Sequence, residues 1–344
     1  MKAPTTILQT HQLAVGYPST GDLLQGLDLG LKQGQLCCLL GPNGSGKSTL
    51  LLTLSGMLAA RGGQVLLRKK NLQQYASQDL ARHLSVILTE RGIPALRVAE
   101  LVATGRQPYT GWWGRLSASD HRVIRQAMED TDTLCFADRQ LYTLSDGERQ
   151  RVMIARAMAQ DTPLMILDEP TVHLDLPSRI EIIQLLHQLT RRHQKAILMS
   201  THDLDLAISS ADQLWLLQNR TVVSGVAEDL ILEGKLEATF TGSNISFDPY
   251  QGSFRILNPK QYAIHVEGQG LSTHWTKRAL ARLGFEIVDD ASQPISLSVC
   301  QNGTNVIWRL KTTTNRTVYR TLGEVIHTLS ATKDSLPPTA RAEQ

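Results

Sequence analysis

Between Gly41 and Ser48 the chain reads G-P-N-G-S-G-K-S, a glycine-rich turn closed by a lysine and a hydroxyl residue. That spacing suits polyphosphate chemistry. Gly44 and Gly46 let the backbone turn tightly enough for successive N–H groups to face one anion. A helix starting near Lys47 adds its positive end at the same place. Lys47 can reach terminal phosphates, the Ser48 hydroxyl can ligate Mg²⁺, and Thr49 supports the phosphates from the first helical turn. The candidate set is Gly41, Pro42, Asn43, Gly44, Ser45, Gly46, Lys47, Ser48 and Thr49, and the ligand it implies is a nucleoside triphosphate.

Further residues of the right type stand elsewhere. Pro163 to Pro170 reads PLMILDEP, a buried apolar strand ending in two carboxylates. Adjacent acids in such surroundings are costly unless a cation compensates. Asp168 suits a Mg²⁺-associated carboxylate, and Glu169 can face an attacking water as general base. His202 follows an apolar strand, Ala196 to Ser200, at the end of a sheet where ligands gather. Ser145 and Gly147, in LSDGERQ, can offer a hydroxyl and an amide to phosphate, or form an ordinary helix cap with Glu148 at its third position. Tyr17 is either a turn residue beside Pro18 or an aromatic that stacks on a purine.

These side chains need a scaffold that brings strand ends together. Leu36 to Leu40 reads as a buried strand before the loop, Ser48 to Ala60 as the helix after it, Gln64 to Arg68 and Leu84 to Thr89 as strands, and Arg179 to Arg192 as a helix. The stretch from Ile7 to Leu31 reads as antiparallel strands broken at Gly16, Gly21 and Gly26. From Val98 to about Arg151 the pattern turns helical, interrupted by the loop Pro108 to Arg115 that carries Tyr109 and the adjacent Trp112 and Trp113, the two tryptophans reading as a core cap or a docking surface.

With 344 residues, two domains are expected. Net charge is only +3 and the cations are scattered, which argues against a nucleic-acid surface. No apolar run is long enough to cross a bilayer, and no export signal is evident. Cys37, Cys38, Cys135 and Cys300 show neither C-x-x-C pairing nor zinc spacing, and read as reduced, mostly core residues of a cytoplasmic protein.

The order Tyr17, phosphate loop, Glu90, LSDGE, LDEP, HLD and His202 resembles the ATP-binding subunit of ABC transporters over roughly Ile7 to Ile256. The resemblance implies a P-loop α/β fold: a RecA-like core with an antiparallel β subdomain and a helical subdomain at about 92–160. Tyr17 matches the adenine-stacking aromatic, Asp168 the Mg²⁺ acid, Glu169 the catalytic base and His202 the histidine that contacts the γ-phosphate. Ser145 and Gly147 match residues that complete a second copy's site, and Asp175 lies in the loop that crosses the dimer interface. Glu90 stands where the family has a Gln that senses Mg²⁺ and water, and Asp146 replaces a glycine. The Asp146 carboxylate is therefore expected to point away from the γ-phosphate or to be neutralised by a nearby cation.

The stretch ELVATGRQPYTGWWGRLSASD is similar to importers of iron siderophores, haem and cobalamin. The resemblance implies the iron-complex branch: an ATPase that powers uptake of a ferric siderophore or similar chelate, bound as a homodimer to separate integral-membrane permease subunits at the cytoplasmic face of the membrane. A substrate-binding protein acts indirectly, and ATP and Mg²⁺ are the cofactors. Alternatives are a haem or cobalamin importer, or a soluble ABC ATPase without a membrane partner.

The cassette is expected over 1–258, followed by a small α+β (ferredoxin-like) domain over 259–331 and a flexible tail over 332–344. In this last quarter, strands are read at Gln261 to Glu267, Phe285 to Val288, Ile295 to Val299 and Val306 to Leu310, with helices at Thr273 to Leu283 and Tyr319 to Leu329. His265 and His274 read as surface or helix-cap residues.

Overall fold

The computed structural model describes residues 5–19, 21–88, 95–111, 114–240, 245–256, 261–302, 305–313 and 315–332. Glu90, Trp112, Trp113 and the tail from 333 lie outside them. The chain divides into two compact units, one over 1–241 with 247–254 and one over 242–246 with 255–344.

The first unit opens with β1 (Thr6–Tyr17), β2 (Gly21–Leu27) and β3 (Gly30–Lys32), followed by β4 (Leu36–Leu40), α1 (Lys47–Leu54), β5 (Gly62–Leu67) and β6 (Lys70–Asn71). A short α2 (Ser77–Leu80) and β7 (Leu84–Ile87) precede three helices, α3 (Val98–Thr104), α4 (Ala118–Asp130) and α5 (Asp146–Ala159). Then come β8 (Leu164–Leu167), α6 (Leu176–His193), β9 (Ala196–Ser200), α7 (Leu204–Ser210), β10 (Gln213–Gln218), β11 (Thr221–Gly225), α8 (Ala227–Leu232) and α9 (Lys235–Phe240). The hairpin β12 (Ile245–Asp248) and β13 (Ser253–Ile256) follows.

One sheet runs in the order β11-β10-β4-β9-β8-β7, parallel except for the β10–β11 pair. Parallel sheets covered on both faces require strands that are apolar throughout. β4 (LCCLL), β8 (LMIL) and β9 (AILMS) meet that demand, with every residue buried. Alternate side chains serve opposite cores. Leu36, Cys38 and Leu40 pack with the helical layer, whereas Cys37 and Leu39 pack under the antiparallel sheet built on β1. Burial pushes the thiols of Cys37 and Cys38 well up, so both behave as inert core residues.

α1 stops at Leu54, six residues before the expected end at Ala60, because the chain turns at Ser55 and adopts φ 77° at Gly56. A buried ion pair locks the helical layer. Arg106 Nε donates to Asp120 Oδ1 at 2.8 Å, its Nη1 donates to the Ala159 carbonyl at 2.9 Å, and its guanidinium lies 3.8 Å from the Tyr109 ring centroid. Tyr109 is thus a core cap, with its hydroxyl donating to the Gln160 carbonyl at 3.1 Å.

The hydroxyl and amide of Ser117, then Arg106, hold the Asp120 carboxyl down at about 2. Because the folded value lies below the unfolded one of about 4, this stabilisation is complete above pH ~4 and fades as pH falls toward ~2. Urea midpoints taken between pH 5 and pH 3 are expected to fall more steeply for the wild type than for Asp120→Asn. Parallel slopes would contradict the assignment.

The second unit contains β14 (Tyr262–Glu267), α10 (Leu271–Arg282), β15 (Phe285–Val288), β16 (Ser296–Asn302), β17 (Asn305–Lys311), β18 (Arg316–Tyr319) and α11 (Leu322–Thr332). Its sheet runs β15-β14-β16-β17-β18. The expected helix at Tyr319 to Leu329 is corrected: RTVY is an edge strand, and the helix begins at Leu322. This gives five strands where four were expected.

Candidate active site

The loop, the acids and the histidine converge because their strands are neighbours. Leu39 of β4 lies beside Ser200 of β9, and Leu167 of β8 beside Met199, so residues just past each strand share one edge of the sheet. Gly44 and Gly46 have φ of 75° and 104°, and α1 starts directly at Lys47. Lys47 Nζ donates to the carbonyls of Gly41 and Pro42 at 2.8 and 3.1 Å. Burial lowers the Lys47 ammonium from its usual range, while the charges of Glu169 and Asp168 oppose that shift, which places both acids near the lysine. The Ser45 hydroxyl is buried without a partner. A buried orphan hydroxyl beside the free amides of a helix start fits an anionic ligand supplied from outside. Tyr17, 38% exposed, ends β1 opposite Gly21, in a hairpin whose Leu24 lies within 3.6 Å of where a Gly46 Cβ would stand.

Glu169 and His202 are in direct contact, with Nε2 of the histidine 2.5 Å from Oε1 of the acid. The backbone under Glu169 is unusual, at φ 52°, a conformation that non-glycine residues rarely adopt. Ser200 sustains it. Its Oγ accepts the Glu169 N–H at 2.9 Å and donates to Asp168 Oδ1 at 2.6 Å, so one hydroxyl fixes both acids. Sequence reading missed Ser200, because its role exists only once β8 and β9 lie side by side. We expect Ser200→Ala to lower the hydrolysis rate about 10-fold by releasing Glu169, within the range for loss of a positioning group. Steady-state kinetics with unchanged nucleotide affinity would show it, and an unaltered rate would remove Ser200 from the machinery.

Ser145, Gly147 and Asp175 form a second group. Ser145 caps α5 in a capping box: its Oγ accepts the Glu148 N–H at 3.3 Å, and Glu148 Oε2 accepts the Ser145 N–H at 2.8 Å. The serine hydroxyl also donates to Glu148, at 3.0 Å. These bonds hold the Glu148 carboxyl below its ordinary value, chiefly through the Ser145 amide. Asp146 is neutralised as expected, by Arg149 at 2.8 Å. Asp175 caps α6 by accepting the Ser178 N–H at 3.1 Å, and a Cβ at Gly147 would stand 3.0 Å from Ser178 Oγ, so the two helix starts abut. Glu90 lies outside the described residues.

Residues 24–172 match the ABC transporter family model, and residues 261–330 match the iron ABC transporter C-terminal domain. The iron(3+)-hydroxamate import ATP-binding protein of Bacillus subtilis is 38% identical over 237 residues, covering 68% of this chain and 87% of that protein. The chain belongs to the ABC transporter ATP-binding proteins. The ferric enterobactin transport ATP-binding protein of Escherichia coli is 34% identical over 235 residues, covering 68% of this chain and 86% of its own. Among solved structures, an ABC transporter described as of the metal-chelate type, in an inward-facing conformation, is 26% identical, with a TM-score of 0.61 over 73% of this chain and 96% of that one. The fold is therefore that of an ABC ATPase, and ATP is the nucleotide that family binds. Among the described residues no helix is long and apolar enough to cross a membrane.

Proposed function

We propose that this ABC ATPase powers uptake of an iron complex, a ferric siderophore or a similar chelate, through a separate membrane permease that it serves from the cytoplasmic face. The observation that carries this reading is the match of residues 261–330 to a domain of iron transporters, on a cassette whose relatives are named for siderophore import. We assign the cassette to 1–258, the C-terminal domain to 259–331 and a tail to 332–344.

In this reading Lys47 and the amides from Gly41 to Thr49 hold the phosphates, and Tyr17 stacks on the adenine. The hydroxyl of Ser48 and the carboxylate of Asp168, with Glu90, suit Mg²⁺, a cation that takes few protein ligands and keeps the rest for phosphate and water. When bound, it neutralises charge that develops on the phosphates. Glu169 accepts the proton of the attacking water, and His202, already against it, orients both. Ser145 and Gly147 from a second copy complete the site, and Asp175 lines the dimer interface. For Ser145 to donate to a γ-phosphate, its single O–H must leave Glu148, so docking of the second copy exchanges one anion for another at the start of α5.

The test is affinity purification of the tagged chain from detergent-solubilised membranes with and without Mg·ATP, followed by uptake of radiolabelled ferric chelates into vesicles that hold the complex. A co-purifying polytopic permease and ATP-dependent iron uptake are expected. Ribosomes, nucleic acid or no membrane partner would overturn the reading.

A further inference from the structure

Among the described residues of the C-terminal unit, helices cover one face of the sheet and no element of the unit packs on the other. α10 and α11 both lie on the covered face: Trp308 Nε1 donates to Thr276 Oγ1 at 2.8 Å, and Val325 and Leu329 join the same core. The other face can be laid out row by row from the strand register. Along one row Val288, His265, Ser296, Lys311 and Arg316 stand side by side across the five strands. The next row holds Glu267, Ser298, Arg309 and Val318. Beyond it, Cys300 stands opposite Ile307.

The charges on this face are sorted. Arg309, Lys311 and Arg316 are exposed on the β17–β18 side and have no ion-pair partner among the described residues. Lys311 stands directly opposite Arg316, a like-charge arrangement that weakens a strand pair unless something anionic covers it. The carboxylates lie on the other side: Glu267 on β14, Glu286 on β15, and exposed Asp289 and Asp290 just after it. Between them, the middle strand β16 places Ser296, Ser298 and half-buried Cys300 on this face, with Ser298 Oγ donating to Glu267 Oε2 at 3.1 Å.

A two-fold axis running along β16 in the plane of contact keeps each residue at its own level and exchanges the left side for the right. β16 then faces itself, β14 faces the partner's β17 and β15 faces the partner's β18. Glu267 meets the partner's Arg309, and Arg309 meets the partner's Glu267, as a self-complementary contact requires. Asp289 and Asp290 lie on the side that receives the partner's Arg316. Val318, 60% exposed, adds an apolar patch. The small residues of β16 let two sheets approach face to face near the axis.

We propose that the open face of the C-terminal sheet is a two-fold contact with a second copy of this chain, Glu267 pairing with the partner's Arg309 on each side of an axis lined by Ser296, Ser298 and Cys300. The contact is distinct from the nucleotide-dependent dimer of the cassettes and forms without ATP. A single sheet face is a small interface, so its effect is to raise the effective concentration of one cassette near the other.

The native cysteine provides the assay. In the full chain carrying Cys135→Ser, Cys300 is the accessible thiol, since Cys37 and Cys38 are buried. Nucleotide-free protein treated with a short bismaleimide is expected to give a covalent dimer on a denaturing gel. Arg309→Glu should cut its yield about 10-fold, the effect of losing roughly one charge-pair contact, and adding Glu267→Arg should restore it. The restored yield also shows that glutamate at position 309 is compatible with the fold. Absence of the dimer, a yield indifferent to Arg309→Glu, or failure of the double exchange would overturn the proposal. So would an Arg309-dependent binding of anionic phospholipid vesicles in place of cross-linking. ATP-dependent association of Glu169→Gln protein, measured separately, reports on the cassette dimer alone and can fail or succeed independently.

Discussion

Glu169→Gln protein is expected to bind ATP as the wild type does and to hydrolyse it at least ~100-fold more slowly, the usual contribution of a positioned general base. The substitution keeps the size of the side chain and an oxygen toward His202, 2.5 Å away. It removes only the capacity to take a proton from water. In the proposed dimer hydrolysis would discharge the γ-phosphate between two cassettes, so blocking it should also trap an ATP-bound dimer visible by size-exclusion chromatography. Persistence of rapid phosphate release would place the base elsewhere, and loss of nucleotide binding would make Glu169 structural.

A second large effect is expected at Lys47. Its ammonium now sits on the carbonyls of Gly41 and Pro42, at 2.8 and 3.1 Å, within an otherwise glycine-rich turn. Among the residues of the loop it supplies the full positive charge, the other donors being neutral amides and hydroxyls. Lys47→Ala should therefore weaken ATP binding by about 10- to 100-fold, as a charge-assisted hydrogen bond is worth ~1.5–3 kcal/mol. Hydrolysis should fall by a further factor of about 100, since charge grows on the phosphate oxygens as the bond breaks. Titration with a fluorescent ATP analogue and single-turnover kinetics separate the two. Equal losses for ADP and ATP would indicate that the lysine serves the loop and not the terminal phosphate.

Much of this site is local in sequence, and that part is legible there. The loop needs only strand, glycines and helix start in series, and LSDGE announces its own capping box because cap and acid are three residues apart. What depends on neighbouring strands stays hidden. Ser200 looks like the end of an apolar strand until Leu167 is placed beside Met199. The loss of β18 has another cause: an exposed edge strand of four residues, RTVY, shows no alternation of buried positions from which to infer it. The sequence suggests a longer α1 because Leu51, Leu52, Leu54, Met57, Leu58, Ala59 and Ala60 are good helix formers, and the single Gly56 that ends it looks tolerable within a helix.

The left-handed backbone at Glu169 has an evolutionary corollary. At φ 52° an L side chain costs about 1 kcal/mol that glycine would not. A gene copy released from the need for turnover would therefore drift toward glycine or asparagine at this codon, becoming slightly more heat-resistant as it lost activity.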